Sequence, residues 1–395
     1  MELCSYYHDA QTAAVLSIDD LSLTAILEKG ELIAANDWGY GLNESGSIYR
    51  YMEDTLFKWY PEVRGTIFYP IARRHGNQNL DAGHECVFRD DESGVPEFLA
   101  LVQQRFELAF HGIEHGRYID KANPAIAGNW QQEFEYHKLE DVPALKVEIE
   151  EFSKRYGIAF TGGKYPGYKG PEPADKIVEE LGFLWWMRKS DMIGRRCAGN
   201  DFAWFGKGEQ ILDIPTNLES GMFRHSLPVR PQRGWRVQLK KKMPIVTAAW
   251  QNLQNNRREQ FIDYLYENRL PLTIQSHFTS ARTDGYRQMP ALYDDMESLC
   301  HIYAVLRGGA IWHTTCGELA RYRQSLHKAK ITTIPGEERK FKLSFENGMG
   351  NERISLRSHA RCILAENGQE LHGTYLRGVW VYDEVKAGSY HEGRY

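Results

Sequence analysis

Along the first two-thirds of the chain, short apolar runs alternate with helical stripes. AAVLSIDD (13–20), GTIFYPIA (65–72) and FELAFHG (106–112) read as strands, the first ending on two carboxylates and the third running into a histidine. Asp141 ahead of Pro143 predicts a helix N-cap with proline in the first turn. Leu145, Ile149, Phe152 and Tyr156 supply its apolar stripe, and Gly157 stops it. IAFTGG (158–163), ILDIP (211–215) and LPLTIQSHF (270–278) are further strands. A long helix is expected across 246–268, and a helix pair at 289–306 and 315–328. This alternation predicts an α/β fold, a mainly parallel sheet or barrel with helices outside. After Pro335 the pattern changes. In KFKLSF (340–345), apolar and polar positions alternate at period two, and Asn347-Gly348 and Asn367-Gly368 are hairpin signals. Residues 336–395 are therefore expected to form a small antiparallel β-appendage to a domain of residues 1–335. DDESGVPE (90–97) and KGPEPADK (169–176) read as surface loops.

Composition narrows the class. With 42% hydrophobic residues in 395, the chain has enough apolar surface for a real core, which excludes extended disorder. A net charge of −5 argues against a nucleic-acid partner held by bulk charge. No stretch reaches the ~18 consecutive apolar residues of a membrane span. MELCSYYHDAQ, at the start, has no basic segment leading an apolar run, so no secretory signal is expected. Six cysteines scattered without a CxxC pair fit reduced thiols, and the expected location is cytoplasmic. The many Trp and Tyr residues suit sugar rings as well as core packing.

The chemistry is concentrated at strand ends, where an α/β barrel carries its functional groups. Asp19-Asp20 ends one strand, His111 follows another, Lys164-Tyr165 follows a third, and His277 ends a late one. His111 and His115 lie four residues apart, a spacing that on one helical turn places both imidazoles on one face, able to grip one metal ion. The segment is not the zincin motif, because Gly112 stands where that motif has its catalytic Glu. Two imidazoles and a carboxylate with an open position form a catalytic zinc arrangement.

LSIDD (16–20), FHGIEH (110–115), GGKYPGY (162–168) and SHF (276–278) resemble, in order, the motifs of the polysaccharide deacetylase superfamily, the NodB-type carbohydrate esterases. The resemblance covers about residues 13–330. It implies a distorted (β/α) barrel of about seven strands with one divalent metal, zinc being expected. Carried over to this chain, Asp20, His111 and His115 would hold the metal, Asp19 would be the general base and His277 the general acid. Lys164, Tyr165 and Arg188 would line the substrate side, with a backbone N–H near Tyr165 helping to hold the oxyanion. The implied activity is removal of an N-acyl group from a sugar, free or linked to lipid or nucleotide, as in O-antigen or capsule synthesis. This chain departs from the family pattern in three places. Gly112 replaces a Ser or Thr, Leu21 replaces a glycine after the two aspartates, and the arginine that pairs with the base has Lys164 or Arg188 in its stead.

Other readings stay open at this point. The acyl group could belong to a formamide, a uronamide or a peptidoglycan amide, or the barrel could bind glycans without catalysis. Asp213 or Asn217 of LDIPTN (212–217) could contact substrate, although Pro215 also suits a structural turn. RPQRGWRVQLKKK (230–242) carries six positive charges, which a solvated face or an anionic glycan would explain. His75, His84, His225, His301 and His313 have no partner spacing and read as structural.

Overall fold

A computed structural model describes residues 1–21, 24–28, 31–32, 48–71, 84–88, 95–120, 130–190, 199–223, 244–278, 290–346 and 352–393. His75, His225, the basic run 230–242, residues 90–94 and the turn Asn347-Gly348 lie outside the described residues.

The fold is mixed α/β around one large sheet. Its parallel strands are β1 (Thr12–Asp19), β2 (Gly65–Tyr69), β3 (Phe106–Phe110), β4 (Gly162–Lys164), β5 (Trp185–Lys189), β6 (Ile211–Thr216), β7 (Leu218–Glu219) and β8 (Leu272–His277). The spatial order is β6-β5-β4-β3-β2-β1-β8-β7, with Ala203–Phe205 antiparallel on the outside of β6. Because only Asn217 separates β6 from β7, the two ends of the sheet must curl toward each other. The seam is stitched by Asn217, whose backbone N–H reaches the Thr273 carbonyl at 3.4 Å and whose Oδ1 accepts from the Thr273 N–H at 3.1 Å. No ladder joins β6 to β8 among the described residues. Asn217 thus ties the two ends of the sheet together.

Every residue of β1 is buried, as expected for a parallel strand covered on both faces. Period two divides its side chains. Ala13 and Val15 pack with Phe68, Ala109, Trp185, Met187, Leu212 and Ile214 from the other strands. Ala14, Leu16 and Ile18 pack instead with helical residues such as Ile262, Leu299 and Ile302. Asp19 has the parity of Ala13 and Val15, so the strand aims it at the side where the strands' own side chains meet.

The helices fall near their expected places: Val142–Tyr156, Pro244–Glu267, Leu292–Leu306 and Cys316–Lys328. Gly157 closes the first of these at φ 67°. Asp141 is not its side-chain cap. It already has helical dihedrals, and its Oδ2 accepts from the Lys138 N–H at 2.8 Å, closing the preceding turn instead. The helix from Cys316 does carry a capping box, with Thr315 Oγ1 accepting from Glu318 N–H and Glu318 Oε2 from Thr315 N–H, both at 3.2 Å.

The C-terminal part is antiparallel β-structure in two small sheets. One runs Ala329–Ile334, Glu337–Phe345, Gly388–Glu392, Cys362–Ala365 and Glu370–His372. Asn367-Gly368 turns its last hairpin, with Gly368 at φ 81°. The other holds Ile354–Ser358, Val379–Val385 and Thr374–Leu376, and the chain's own first strand, Glu2–Leu3, pairs onto its edge. Leu343, Leu356, Ile363 and Tyr382 fill a shared core, closed by Tyr322 of the last helix. Among the described residues, no helix is long and apolar enough to cross a membrane.

Candidate active site

Asp19 and His277 are direct neighbours in the β1–β8 register, and Asp19 lies opposite Phe68 of β2. Asp20 follows with φ 68°, a left-handed conformation that is uncommon outside glycine and turns its carboxylate away from the path of the strand. Both aspartates are buried, at 3% and 5% exposure.

Oδ1 of Asp20 lies 3.6 Å from Nε2 of His111 and 3.2 Å from Nε2 of His115. One donor atom from each residue falls within 4.8 Å of the others, the spacing a shared ion requires. The ring of His111 is oriented by its other nitrogen, Nδ1, at 3.0 Å from the Lys164 carbonyl, so Nδ1 carries the hydrogen and Nε2 presents its lone pair. Burial pushes the His111 imidazole down to about 4, against the pull of Asp19, which keeps it in the neutral form a metal needs. The donor set fits a divalent ion.

The two histidines do not share a helical turn. Residues 111–115 form a loop after β3, with Gly112 at φ 87° and His115 at φ 70°, both outside helical space. The rings meet all the same, with centroids 5.0 Å apart. What shapes the loop is Glu133, 1% exposed, which the sequence pattern did not single out. Its Oε1 accepts from the Ile113 N–H at 2.8 Å, and its Oε2 from the N–H groups of Glu114 and His115 at 2.9 and 2.8 Å. A Cβ at position 112 would sit 2.3 Å from Oε2, so glycine there makes room for the carboxylate. Glycine at position 112 thus lets an acid from elsewhere in the chain brace the loop.

Asp19 sits among partners of the opposite charge. Lys164 Nζ donates to its Oδ2 at 2.5 Å, and His277 Nε2 lies 3.4 Å from the same oxygen. Burial works to raise the Asp19 carboxyl; Lys164, with His277 and His111, overrides it and holds the acid below its ordinary value. Lys164 is itself lowered, by burial, while Asp19 pulls the other way. Oδ1 of Asp19 is buried and takes no hydrogen bond among the described residues. His277 has its Nδ1 2.7 Å from the Pro290 carbonyl, which turns Nε2 toward Asp19.

Two further residues reach this carboxylate. Gln275 Nε2 donates to Asp19 Oδ2 at 3.2 Å, and Tyr168 O–H donates to Gln275 Oε1 at 2.7 Å. The ring of Tyr168 also lies 4.3 Å from Lys164 Nζ. Strand alternation could have revealed Gln275, two residues before His277 on the same face; Tyr168 closes the GGKYPGY segment without being singled out there, and nothing in the sequence marks Glu133.

Arg188 is elsewhere. Its guanidinium pairs with Asp175 and, at 3.0 Å, with Asp213, beneath the rings of Tyr165 and Phe205. Of the two candidate partners for Asp19, Lys164 makes the contact. The Tyr165 side chain is 1% exposed and donates its hydroxyl to Asp175 at 2.8 Å, so its ring belongs to the core with Phe134 and Trp186. His301 stacks on Phe223, and His313 is packed beside Tyr303.

Fold and site together define a curled parallel α/β sheet with a two-histidine, one-carboxylate centre and a second, ion-paired carboxylate at adjoining strand ends. No protein-family model matches the chain, and no curated protein matches it. Among solved structures, it is similar to a probable polysaccharide deacetylase from Pseudomonas aeruginosa, at 15% identity and TM-score 0.44, over 81% of this chain and 93% of that one. It is similar also to the chitin deacetylase of Colletotrichum lindemuthianum, at 11% identity and TM-score 0.37, over 80% and 89%. The α-amylase AmyC of Thermotoga maritima stands at the same level, at 8% identity and TM-score 0.41, over 78% and 74%. Likenesses this distant carry no argument about chemistry, which has to come from the chain's own residues.

Proposed function

We propose that this chain is a metal-dependent amide hydrolase of the polysaccharide deacetylase type, removing an N-acyl group, acetyl in the first instance, from a sugar unit. The observation that carries the reading is the convergence of Asp20, His111 and His115 beside a second carboxylate, Asp19, which is flanked by a lysine and a histidine. A divalent ion such as zinc supplies water activation and carbonyl polarisation.

The protein groups divide the remaining work. Asp19, kept ionised by Lys164, takes a proton from the attacking water as general base. His277 delivers a proton to the departing amine, which an amide C–N bond needs before it breaks readily. Its ring is held for this by the Pro290 carbonyl. Gln275 and Tyr168 fix the orientation of the Asp19 carboxylate. Because the Tyr165 side chain is committed to the core, any help to the oxyanion from this residue comes from its backbone N–H.

The test is acetate release from an N-acetylated oligosaccharide such as chitotetraose. Zinc-loaded protein is expected to release acetate, and chelator-treated protein and Asp19→Asn are expected not to. Formate from an N-formyl sugar or ammonia from a uronamide, in place of acetate, would correct the acyl group while keeping the centre. Equal rates with and without metal would overturn the proposal.

A further inference from the structure

A cleft lies near the start of β1, whereas Asp19 ends that strand. It sits where the last helix meets the C-terminal β-structure and has a volume of about 460 Å³, within the size range of small-ligand sites. Its floor is aromatic. Tyr7 and Trp312 lie with ring centroids 5.6 Å apart, and Trp312 and Tyr322 5.5 Å apart. Tyr7 and Trp312 are partly buried against the neighbouring core, whereas Tyr322 is buried and tied by its hydroxyl to the Cys4 carbonyl at 2.9 Å. The walls carry Arg64, Arg321 and Arg353.

The charge of the walls points to an anion. Two of the arginines are matched: Arg64 by Glu318 at 3.0 Å and Arg353 by Glu384 at 2.8 Å. These pairs are solvent-facing, and such pairs hold weakly, so an incoming carboxylate can compete for either arginine. Arg321 makes no ion pair among the described residues, although its charge is felt by the buried Glu107, and Asp383 stands near Tyr7; the lining side chains themselves carry three arginines against two glutamates. The helix presents Glu318, Arg321, Tyr322 and Ser325 along one face by its own periodicity.

We propose that this cleft binds an acidic saccharide: a pyranose ring laid on Trp312 and Tyr7, with its carboxylate taken by Arg321 and Arg353. Aromatic faces with a few placed polar groups suit a sugar, and planar guanidinium suits a carboxylate. Trp312 pairs with Ala13 near the start of β1, whereas Asp19 ends that strand. Six residues of strand put the two sites about 20 Å apart. The cleft is therefore separate from the centre at Asp19, and its occupancy does not depend on the function proposed above.

The experiment is calorimetric titration of the full-length protein with tetragalacturonate, alongside neutral maltotetraose and inorganic phosphate. Tetragalacturonate is expected to bind with a dissociation constant near millimolar or tighter, and to weaken as NaCl rises from low to ~0.5 M. Arg321→Ser and Arg353→Ser, both at exposed positions, should each weaken it roughly tenfold, the scale of one charge-assisted hydrogen bond. Tyr7→Leu should weaken it as well, and serves if a Trp312 variant fails to fold. Asp19→Asn and His115→Ala should leave it unchanged, which places the ligand outside the metal centre. The proposal is overturned by absence of binding, by equal binding of maltotetraose or phosphate, by indifference to both arginine variants, or by loss of binding in Asp19→Asn.

Discussion

Glu133→Gln preserves the size and shape of the side chain and removes only its charge and one acceptor. In the native protein, three consecutive backbone N–H groups point at this carboxylate, from Ile113 to Oε1 and from Glu114 and His115 to Oε2. A glutamine offers one oxygen, and its NH₂ must face at least one of those donors. Hydrogen bonds to a buried charge contribute ~1.5–3 kcal/mol each, and an orphaned donor adds its own desolvation cost. With one or two of the three bonds lost at a site 1% exposed, the variant should be less stable by about 3–5 kcal/mol. The loop that presents His115 also loses its template. Zinc affinity should then fall by ~10–100-fold, the usual effect of removing a group that orients metal ligands. Binding should not vanish, because His111 is oriented separately by the Lys164 carbonyl. Urea unfolding with matched m-values gives the first quantity, and competition with a chromophoric chelator at pH 7 gives the second. Parental stability together with parental zinc affinity would refute the reasoning, because Glu133 would then be an incidental neighbour of the loop.

The remaining predictions concern the same site and its surroundings. Gly112→Ala should destabilise by roughly 2 kcal/mol or more in thermal or urea unfolding, since the new methyl meets Glu133 and alanine is strained at φ 87°. His111→Ala and His115→Ala should each lose most bound metal by elemental analysis, and unchanged content in both would remove the site. His277→Ala should fold, keep its metal and lose ~10²–10⁴-fold in turnover, whereas a parental rate would leave the amine without its assigned proton donor. Lys164→Met should shift the rising limb of the pH–rate curve upward, because Asp19 is held below its ordinary value chiefly by that lysine. Arg188→Lys, whose partners are Asp175 and Asp213, should leave that limb in place. His137 is raised above its ordinary value: burial opposes this, but Glu133 and Asp141 more than compensate. Its stabilising contribution is therefore complete below about pH 6.5 and is lost as pH rises through its native value, a slope that His137→Gln should abolish in pH-dependent unfolding.

Much of the architecture is local and was legible in the chain. Short apolar runs bounded by turn residues suit buried strands, so β1, β2, β3, β6 and β8 followed from their patterns, although VPEFLALV (95–102) is a helix; Gly157 and Asn367-Gly368 marked their turns by backbone freedom. The order of Asp19-Asp20, His111, His115 and His277 at strand ends was also written there, because a parallel sheet delivers those ends to one rim. What the sequence could not supply was anything depending on which distant segments meet. His111 and His115 suggested a helical turn, yet the loop takes its shape from Glu133, about 20 residues downstream, whose carboxylate replaces intrahelical bonds. Asp141 looked like a cap until its carboxylate found the Lys138 N–H closer at hand. The choice between Lys164 and Arg188 was settled by direction: β4 aims Lys164 at Asp19, while Arg188 on the next strand is claimed by Asp175 and Asp213. Side-chain identity and period determine which face a residue occupies. Only the packing of separate strands determines which charge it meets there, and for a buried ion that partner decides its role.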